Sequence, residues 1–253
     1  MIDLENCKKV FNEYVDNYDK NDFLIEKKIR HTYNVVDISE QIAKSLNLSE
    51  EEVKLAILIG LLHDIGRFEQ AKIAGTYVDT KQIDHAEIGV RLLFEENKIR
   101  EFLPEDLEYD EIIKKAVYEH NKFKISEELN KKERLYAQIV RDADKIDIYR
   151  MFVTDDMLKL GYASGYTDTK NFTEEVEDAF YNNEQLPKNK LKTMLDWLLN
   201  AIAFTYDINF KKSFLILKEK NYINIILDKS ENIWTKNIEK LKKIRYHINE
   251  YIG

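Results

Sequence analysis

The sequence predicts an all-α protein built as a single helical domain. Only 7 glycines and 2 prolines occur in 253 residues, which is too little turn punctuation for a sandwich or barrel of many strands. Apolar residues recur at helical spacing in one segment after another, and a chain of this length can bury a substantial core. We expect a helical core over about residues 25–150 and a helical extension over about 152–253.

The first long helix is predicted from about Phe23 to Leu46 and includes His31. The sequence Ser49-Glu50-Glu51-Glu52 has the pattern of a capping box, so a second helix begins there. This helix is strongly apolar and should carry His63-Asp64 in its last turn, with Gly66 as the residue that ends it.

The next three helices are predicted around further histidines and aspartates. A polar stretch from Ala71 to Ile83 should be irregular, since it holds a glycine and two threonines. After it, Asp84 should cap a helix that has His85 in its first turn. A second helix is expected over about Tyr109–Asn121 and should end near His120. A third is expected over about Lys131–Met151, with Asp144 near its middle.

Beyond residue 152 the chain keeps a helical pattern but contains fewer recognisable signals. We predict a loop at Gly161–Thr169, a short acidic helix capped by Thr173, and amphipathic segments at Pro187–Tyr206 and Asn209–Asn221. The last apolar stripe consists of Trp234, Ile238, Leu241, Ile244 and Ile248. We predict that it completes the core. The alternative is that it forms a surface for a partner, which would allow a homodimer.

Composition limits the classes of partner. The formal net charge is -8, which repels a polyanion and argues against a nucleic acid polymer as partner. The single cysteine, Cys7, allows no intrachain disulfide, and the N-terminus carries no apolar run. The longest apolar stretch, Leu58–Leu62, is far too short to span a bilayer. We therefore predict a cytoplasmic protein with no membrane partner.

The histidines and aspartates of the first half suggest a metal site. Imidazole and carboxylate are ligands for Mn, Fe, Co, Ni or Zn. Adjacent residues of a helix diverge by about 100°, so in the pair His63-Asp64 the aspartate can reach between two metals while the histidine serves one. A charged aspartate at the end of an apolar helix is also costly unless it is paired or metal-bound.

Five segments between about residues 25 and 150 follow one another in an order that resembles the successive motifs of the HD superfamily of metal-dependent phosphohydrolases. They are Arg30-His31-Thr32-Tyr33-Asn34-Val35, Leu62-His63-Asp64-Ile65-Gly66-Arg67, Asp84-His85-Ala86-Glu87-Ile88-Gly89, Glu119-His120-Asn121 and Asp142-Ala143-Asp144-Lys145-Ile146-Asp147. The resemblance covers about residues 25–150, and the extension after it carries no motif of that family.

The resemblance implies a set of metal ligands. The residues that match the ligands of one metal in the family are His31, His63, Asp64 and Asp144. His85 and His120 stand where the family's binuclear subset has two more histidines, so the resemblance implies two divalent transition metals with Asp64 as the bridge. Asp144 rather than Asp142 matches the family ligand, because the ligand directly precedes the lysine.

Several neighbours of these motifs are candidates for other roles. Arg67 and Lys145 are predicted to hold a substrate phosphate, and the alternative for each is a solvated charge or an ordinary ion pair. In the irregular stretch, Tyr77 and Lys81 are the residues best suited to touch a substrate. Glu119 is predicted either to orient a ligand or to face solvent.

Two further titratable residues are interpreted as having no direct part in metal binding. Asp142 is interpreted as a surface carboxylate or as one that supports a ligand without binding metal. His247 lies among charged residues of the last predicted helix, and we expect it to be exposed.

The resemblance implies hydrolysis of a phosphate ester or anhydride in a small phosphorylated molecule, with a nucleotide favoured, by a metal-bridged hydroxide. The first alternative is a mixed-valent di-iron oxygenase, since a branch of the superfamily uses the same types of ligand for oxygen activation. The second is a non-catalytic sensor domain. The sequence lacks the Gly-Tyr-Pro motif of the cyclic-dinucleotide branch, so that substrate ranks low.

Overall fold

A computed structural model describes residues 1–104, 108–154 and 171–253. Helices dominate these ranges, and no strand occurs within them. The prediction of an all-α fold is therefore confirmed. The contacts divide the chain into two compact units, Met1–Asp147 and Ile148–Gly253. This boundary lies close to the predicted limit of the core near residue 150. That the whole chain folds as a single domain stays a prediction.

The first unit is an array of helices of very unequal length. α2 packs along α3, α4 packs against α5, and α5 packs against α7. A π-helical turn, Arg91–Glu95, continues α5. The helices that begin in this unit are α1 (Leu4–Val15), α2 (Phe23–Ser45), α3 (Glu50–Leu62), α4 (Ile65–Ala74), α5 (His85–Val90), α6 (Ile99–Phe102), α7 (Asp110–Glu119) and α8 (Lys131–Thr154).

The second unit is also helical in its described part. Three short 3-10 turns lie between its helices, at Lys188–Lys190, Ala203–Asp207 and Thr235–Asn237. The helices are α9 (Glu174–Tyr181), α10 (Met194–Ile202), α11 (Lys211–Lys220), α12 (Tyr222–Ile233) and α13 (Ile238–Ile252). Thr173 occupies the predicted cap position of α9, and the predicted loop at Gly161–Thr169 lies outside the described residues.

Polar side chains cap the starts of α2, α3 and α5, because the first amides of a helix need acceptors. Ser49 and Glu52 form the predicted capping box at the start of α3. The Asp22 carboxylate caps α2, and the Asp84 carboxylate accepts from the amides of Ala86 and Glu87 at the start of α5. The prediction that Asp84 places His85 in a first helical turn is confirmed.

Gly66 does not end a helix, so that prediction is wrong. α3 ends at Leu62, and the chain bends at Asp64 into α4, which contains Gly66. A Cβ atom on Gly66 would lie 2.2 Å from the His85 carbonyl oxygen and 2.6 Å from the Gly89 nitrogen. Glycine is therefore required by the close approach of α4 to α5, and Gly75, with φ +61°, is the left-handed residue that ends α4.

The last apolar stripe is largely buried within the second unit. Leu241, Ile244 and Ile248 on α13 are fully buried, as the core interpretation predicts. No helix in the described part of the chain combines the length and apolar character that crossing a membrane requires.

Candidate metal centre

Six side chains of the first unit converge on one buried point although they come from distant parts of the sequence. Helix ends supply most of them, because the ends of α3, α5 and α7 meet there. The six are His31 within α2, His63 directly after α3, Asp64 at the bend before α4, His85 at the start of α5, His120 directly after α7 and Asp144 within α8.

The two oxygens of Asp64 face two different groups of side chains. Oδ2 lies 3.3 Å from Nε2 of His31 and 3.4 Å from Nε2 of His63. Oδ1 lies 3.3 Å from Nε2 of His85 and 3.5 Å from Nε2 of His120. Because each oxygen has its own pair of imidazoles, this single carboxylate lies between two potential ligand groups.

Asp144 belongs to the first of these groups. Its Oδ1 lies 3.1 Å from Nε2 of His31. We call the group of His31, His63, Asp144 and Asp64 Oδ2 the Oδ2 half, and the group of His85, His120 and Asp64 Oδ1 the Oδ1 half. Each half combines imidazole nitrogens with carboxylate oxygen, the donor set that divalent transition metals prefer.

Hydrogen bonds from the other ring nitrogen fix the orientation of all four imidazoles. Nδ1 of His63 and of His120 each lie 2.7 Å from a backbone carbonyl oxygen of the preceding helix. Nδ1 of His31 lies 2.7 Å from Asp147 Oδ2, and Nδ1 of His85 lies 2.8 Å from an oxygen of Asp79. These oxygens only accept, so each Nδ1 carries a hydrogen and each Nε2 is directed at the centre.

The spacing of these nitrogens fits a shared cation in each half. Nε2 of His31 and His63 are 3.3 Å apart, and Nε2 of His85 and His120 are 2.9 Å apart. Two nitrogens bound at about 2.1 Å to one ion, at an angle of roughly 90–109°, lie about 3.0–3.4 Å apart. The separation of each pair therefore fits either an N–H···N hydrogen bond or one cation bound to both nitrogens.

Burial favours a neutral imidazole in each half of the centre. Burial, reinforced by the nearby Arg67 guanidinium, lowers the pKa of His85 to about 3. Burial also lowers the pKa of His63. A histidine must be neutral to bind a metal, so both rings are available as ligands at neutral pH.

The Oδ2 half attracts positive charge. Burial and Lys28 lower the pKa of His31, but hydrogen bonds to Asp144, Asp147 and Asp64 outweigh them and raise it to about 10. Without a metal, this ring therefore holds a proton among three carboxylates. Since a cation bound between the same carboxylates would replace that proton, the residues present fit a divalent metal.

Comparison with protein families agrees with the geometry. The model of the family described as HD domain matches residues 29–149, just under half of the chain. The chain carries an HD domain. The predicted resemblance to that superfamily is confirmed, while membership of the binuclear subset stays a prediction. Searches of curated proteins and of solved structures find no match to the chain.

Arg67, which directly follows the central HD motif, is engaged in contacts within the protein. Its Nη1 donates to Gln70 Oε1 and to the Tyr77 carbonyl oxygen, both at 2.7 Å, and lies 3.2 Å from Asp79 Oδ1. Its Nε lies 3.5 Å from Asp64 Oδ1. Arg67 thus holds the segment after α4 against α4 and places positive charge beside the Oδ1 half.

Asp79 completes this arrangement. Both of its oxygens lie within 2.9 Å of His85 Nδ1, and Oδ1 also accepts from the His85 amide. Burial alone would raise the pKa of Asp79, but His85 and Arg67 lower it below its usual range. Asp79 therefore stays ionised and orients His85, and this contact accounts for the proximity of these two residues in the cluster that they form with Asp84.

The other candidate residues named from the sequence differ in how far they are buried and in what they contact. Lys145 is buried next to Asp144 in α8, whereas Lys81 is exposed. Tyr77 is buried and its hydroxyl donates to the Leu24 carbonyl oxygen at 2.5 Å, so it ties the segment after α4 to α2. The side chain of Glu119 is buried and accepts from the Ser126 amide.

Two of the structural interpretations need correction. Asp142 is fully buried, so a surface carboxylate is the wrong interpretation. His247 is half-buried rather than exposed, because its Nε2 lies 3.0 Å from Asn183 Oδ1 and its ring packs against Phe180 and Tyr181.

Sequence reasoning missed four residues that contact the centre or hold its ligands. Lys28 and Asp147 lie three residues from His31 and Asp144 on their helices, a spacing that places them on the ligand face. Arg141, also in α8, is fully buried, and its Nη1 donates to three carbonyl oxygens at the end of α7. Asp79 is the fourth, and no local pattern marks it.

Proposed function

We propose that the chain is a metal-dependent phosphohydrolase that binds two divalent transition metals and cleaves a phosphate ester or anhydride of a small molecule, with a nucleotide as the favoured substrate. The observation that carries this proposal is the position of Asp64, whose two oxygens face separate pairs of imidazole nitrogens at 3.3–3.5 Å. The HD domain match over residues 29–149 supports the hydrolase class.

Two bound divalent ions would supply Lewis acidity and lower the pKa of a water held between them. The chain's own part is to hold the donors in place. Asp147 and Asp79 accept from His31 and His85, which keeps each Nε2 lone pair directed at the centre. Five of the six proposed ligands are buried and Asp144 is only partly exposed, so little bulk water reaches the centre and the electrostatic interactions among the ligands are strengthened.

Lys145 and Arg67 have different proposed parts. Lys145 is our candidate for the cation that neutralises charge on the substrate phosphate, because it is buried and directly follows Asp144. Arg67 donates to three oxygens of the protein through one nitrogen, so we assign it first to positioning Asp79 and the segment after α4.

The test combines metal analysis with an activity screen. Protein purified without chelator should contain about two transition-metal ions per chain and release phosphate from nucleotides or other small phosphate esters when Mn, Fe, Co, Ni or Zn is supplied. Asp64→Asn removes the bridging charge with little change in volume and should lower the rate by about 10³-fold or more, roughly 4 kcal/mol. Asp37→Asn, on an exposed position of α2, is the matched control and should retain full activity.

Other outcomes would contradict the proposal in distinguishable ways. Two iron ions with substrate-dependent oxygen uptake and no phosphate release would replace it by the oxygenase. A protein that retains no metal after metal supplementation under reducing conditions would favour the sensor. An Asp64→Asn variant that keeps its metals and its rate would remove Asp64 from the mechanism.

A further inference from the structure

Lys28 is a buried cation inside the metal centre that none of the family motifs includes. It lies on α2, one helical turn before His31. Its Nζ donates to Asp64 Oδ2 at 2.5 Å, and the two side chains are only 4% and 3% exposed. The ammonium also lies 5.4 Å from the centre of the Tyr77 ring, an arrangement that stabilises a desolvated cation.

The oxygen that Lys28 contacts is the one a metal would use in the Oδ2 half. Nε2 of His31 and of His63 lie 3.3 and 3.4 Å from that same oxygen. A buried aspartate needs a compensating positive charge, and Lys28 supplies it when no metal is bound. A divalent ion at the same oxygen would meet a like charge within a few ångströms, in surroundings that screen it poorly.

We propose that Lys28 is a built-in counter-cation that stabilises the metal-free centre and competes with a metal ion for Asp64 Oδ2. This inference rests on the proposed metal site. It has two consequences of opposite sign, because removing the charge leaves Asp64 unpaired in the metal-free protein but relieves the repulsion of a bound ion. A lysine that merely supported the fold or oriented Asp64 would not strengthen metal binding when removed.

The experiment compares wild type with Lys28→Met, measuring thermal unfolding of chelator-treated protein and Mn²⁺ binding by calorimetry. Breaking a buried pair is strongly destabilising, so the metal-free variant should unfold at least about 6 °C lower. Its tightest Mn²⁺ dissociation constant should fall by about tenfold or more. The control is Lys44→Met, an exposed position on the same helix, about 24 Å along the axis from Lys28, which should change neither quantity.

Two further variants keep the inference falsifiable. Lys28→Gln retains a donor for Asp64 and protects folding, yet it should also bind Mn²⁺ more tightly than wild type. In an Asp64→Asn background, Lys28→Met should destabilise the metal-free protein less than it does in the wild-type background, because the charge of Asp64 that pairs with the lysine is gone. Unchanged or weaker Mn²⁺ binding by both Lys28 variants, or a metal-free stability of Lys28→Met equal to that of wild type, would overturn the proposal. Wild type that binds no metal at all would instead refute the proposed function, and the unfolding comparison would still test the ion pair.

Discussion

Replacing Gly66 by alanine tests how closely the approach of α4 and α5 determines the metal centre. The added Cβ would lie 2.2 Å from the His85 carbonyl oxygen and 2.6 Å from the Gly89 nitrogen. Both neighbours are backbone atoms, so α5 must move by about 1 Å to reach ordinary van der Waals separation. Since His85 is the first residue of α5, this movement displaces a proposed ligand.

The energetic cost follows from the size of the clash. Overpacking a buried position lowers the free energy of unfolding by about 1–3 kcal/mol. Replacing a glycine within a helix by alanine raises it by up to about 1 kcal/mol. The net cost is therefore about 0–3 kcal/mol, so we expect the metal-free Gly66→Ala protein to unfold up to about 12 °C lower than wild type. Its affinity for metal should fall by about 10-fold or more, because a displaced His85 no longer lies opposite His120.

Gly89→Ala is the matched control. A Cβ on Gly89 would meet its nearest neighbours at 3.4–3.5 Å, which is ordinary contact, so this variant should unfold at or slightly above the wild-type temperature. Thermal unfolding with chelator and Mn²⁺ titration of both variants provide the comparison. A Gly66→Ala protein as stable as Gly89→Ala, with unchanged metal affinity, would refute the reasoning.

Two residues that hold ligands in place give further predictions. Asp79→Asn should weaken metal binding by about 10–100-fold, because the amide no longer provides the charged partner of His85 Nδ1; an unchanged titration curve would contradict this role. Arg141→Met should lower the free energy of unfolding by roughly 2–5 kcal/mol, measured by urea unfolding, because three carbonyl oxygens at the end of α7 lose their donor. A loss below about 1 kcal/mol would show that other groups satisfy these carbonyls.

Much of the fold and of the centre follows from local signals. The capping box at Ser49 and the Asp84 cap depend only on neighbouring residues, so the starts of α3 and α5 could be predicted. The ligand candidates could be named because each lies in a short ordered motif. Their convergence on Asp64 is a property of the tertiary structure, which the family resemblance implies and the local pattern does not.

The remainder depends on contacts that the sequence does not reveal. Gly66 has the local appearance of a helix end, but its glycine is required by α5, which lies about twenty residues later in the sequence. Arg67 follows the HD motif as a phosphate-binding residue would, yet its partners belong to the segment after α4. Lys28 and Asp147 could have been found, since each lies three residues from a predicted ligand on the same helix.

Anomalous diffraction from crystals soaked with Mn²⁺ tests the central claim most directly. We predict two peaks about 3.5–4 Å apart, one beside His31, His63 and Asp144 and the other beside His85 and His120, with one oxygen of Asp64 bound to each. A single peak, or two peaks that share no ligand at Asp64, would contradict the account.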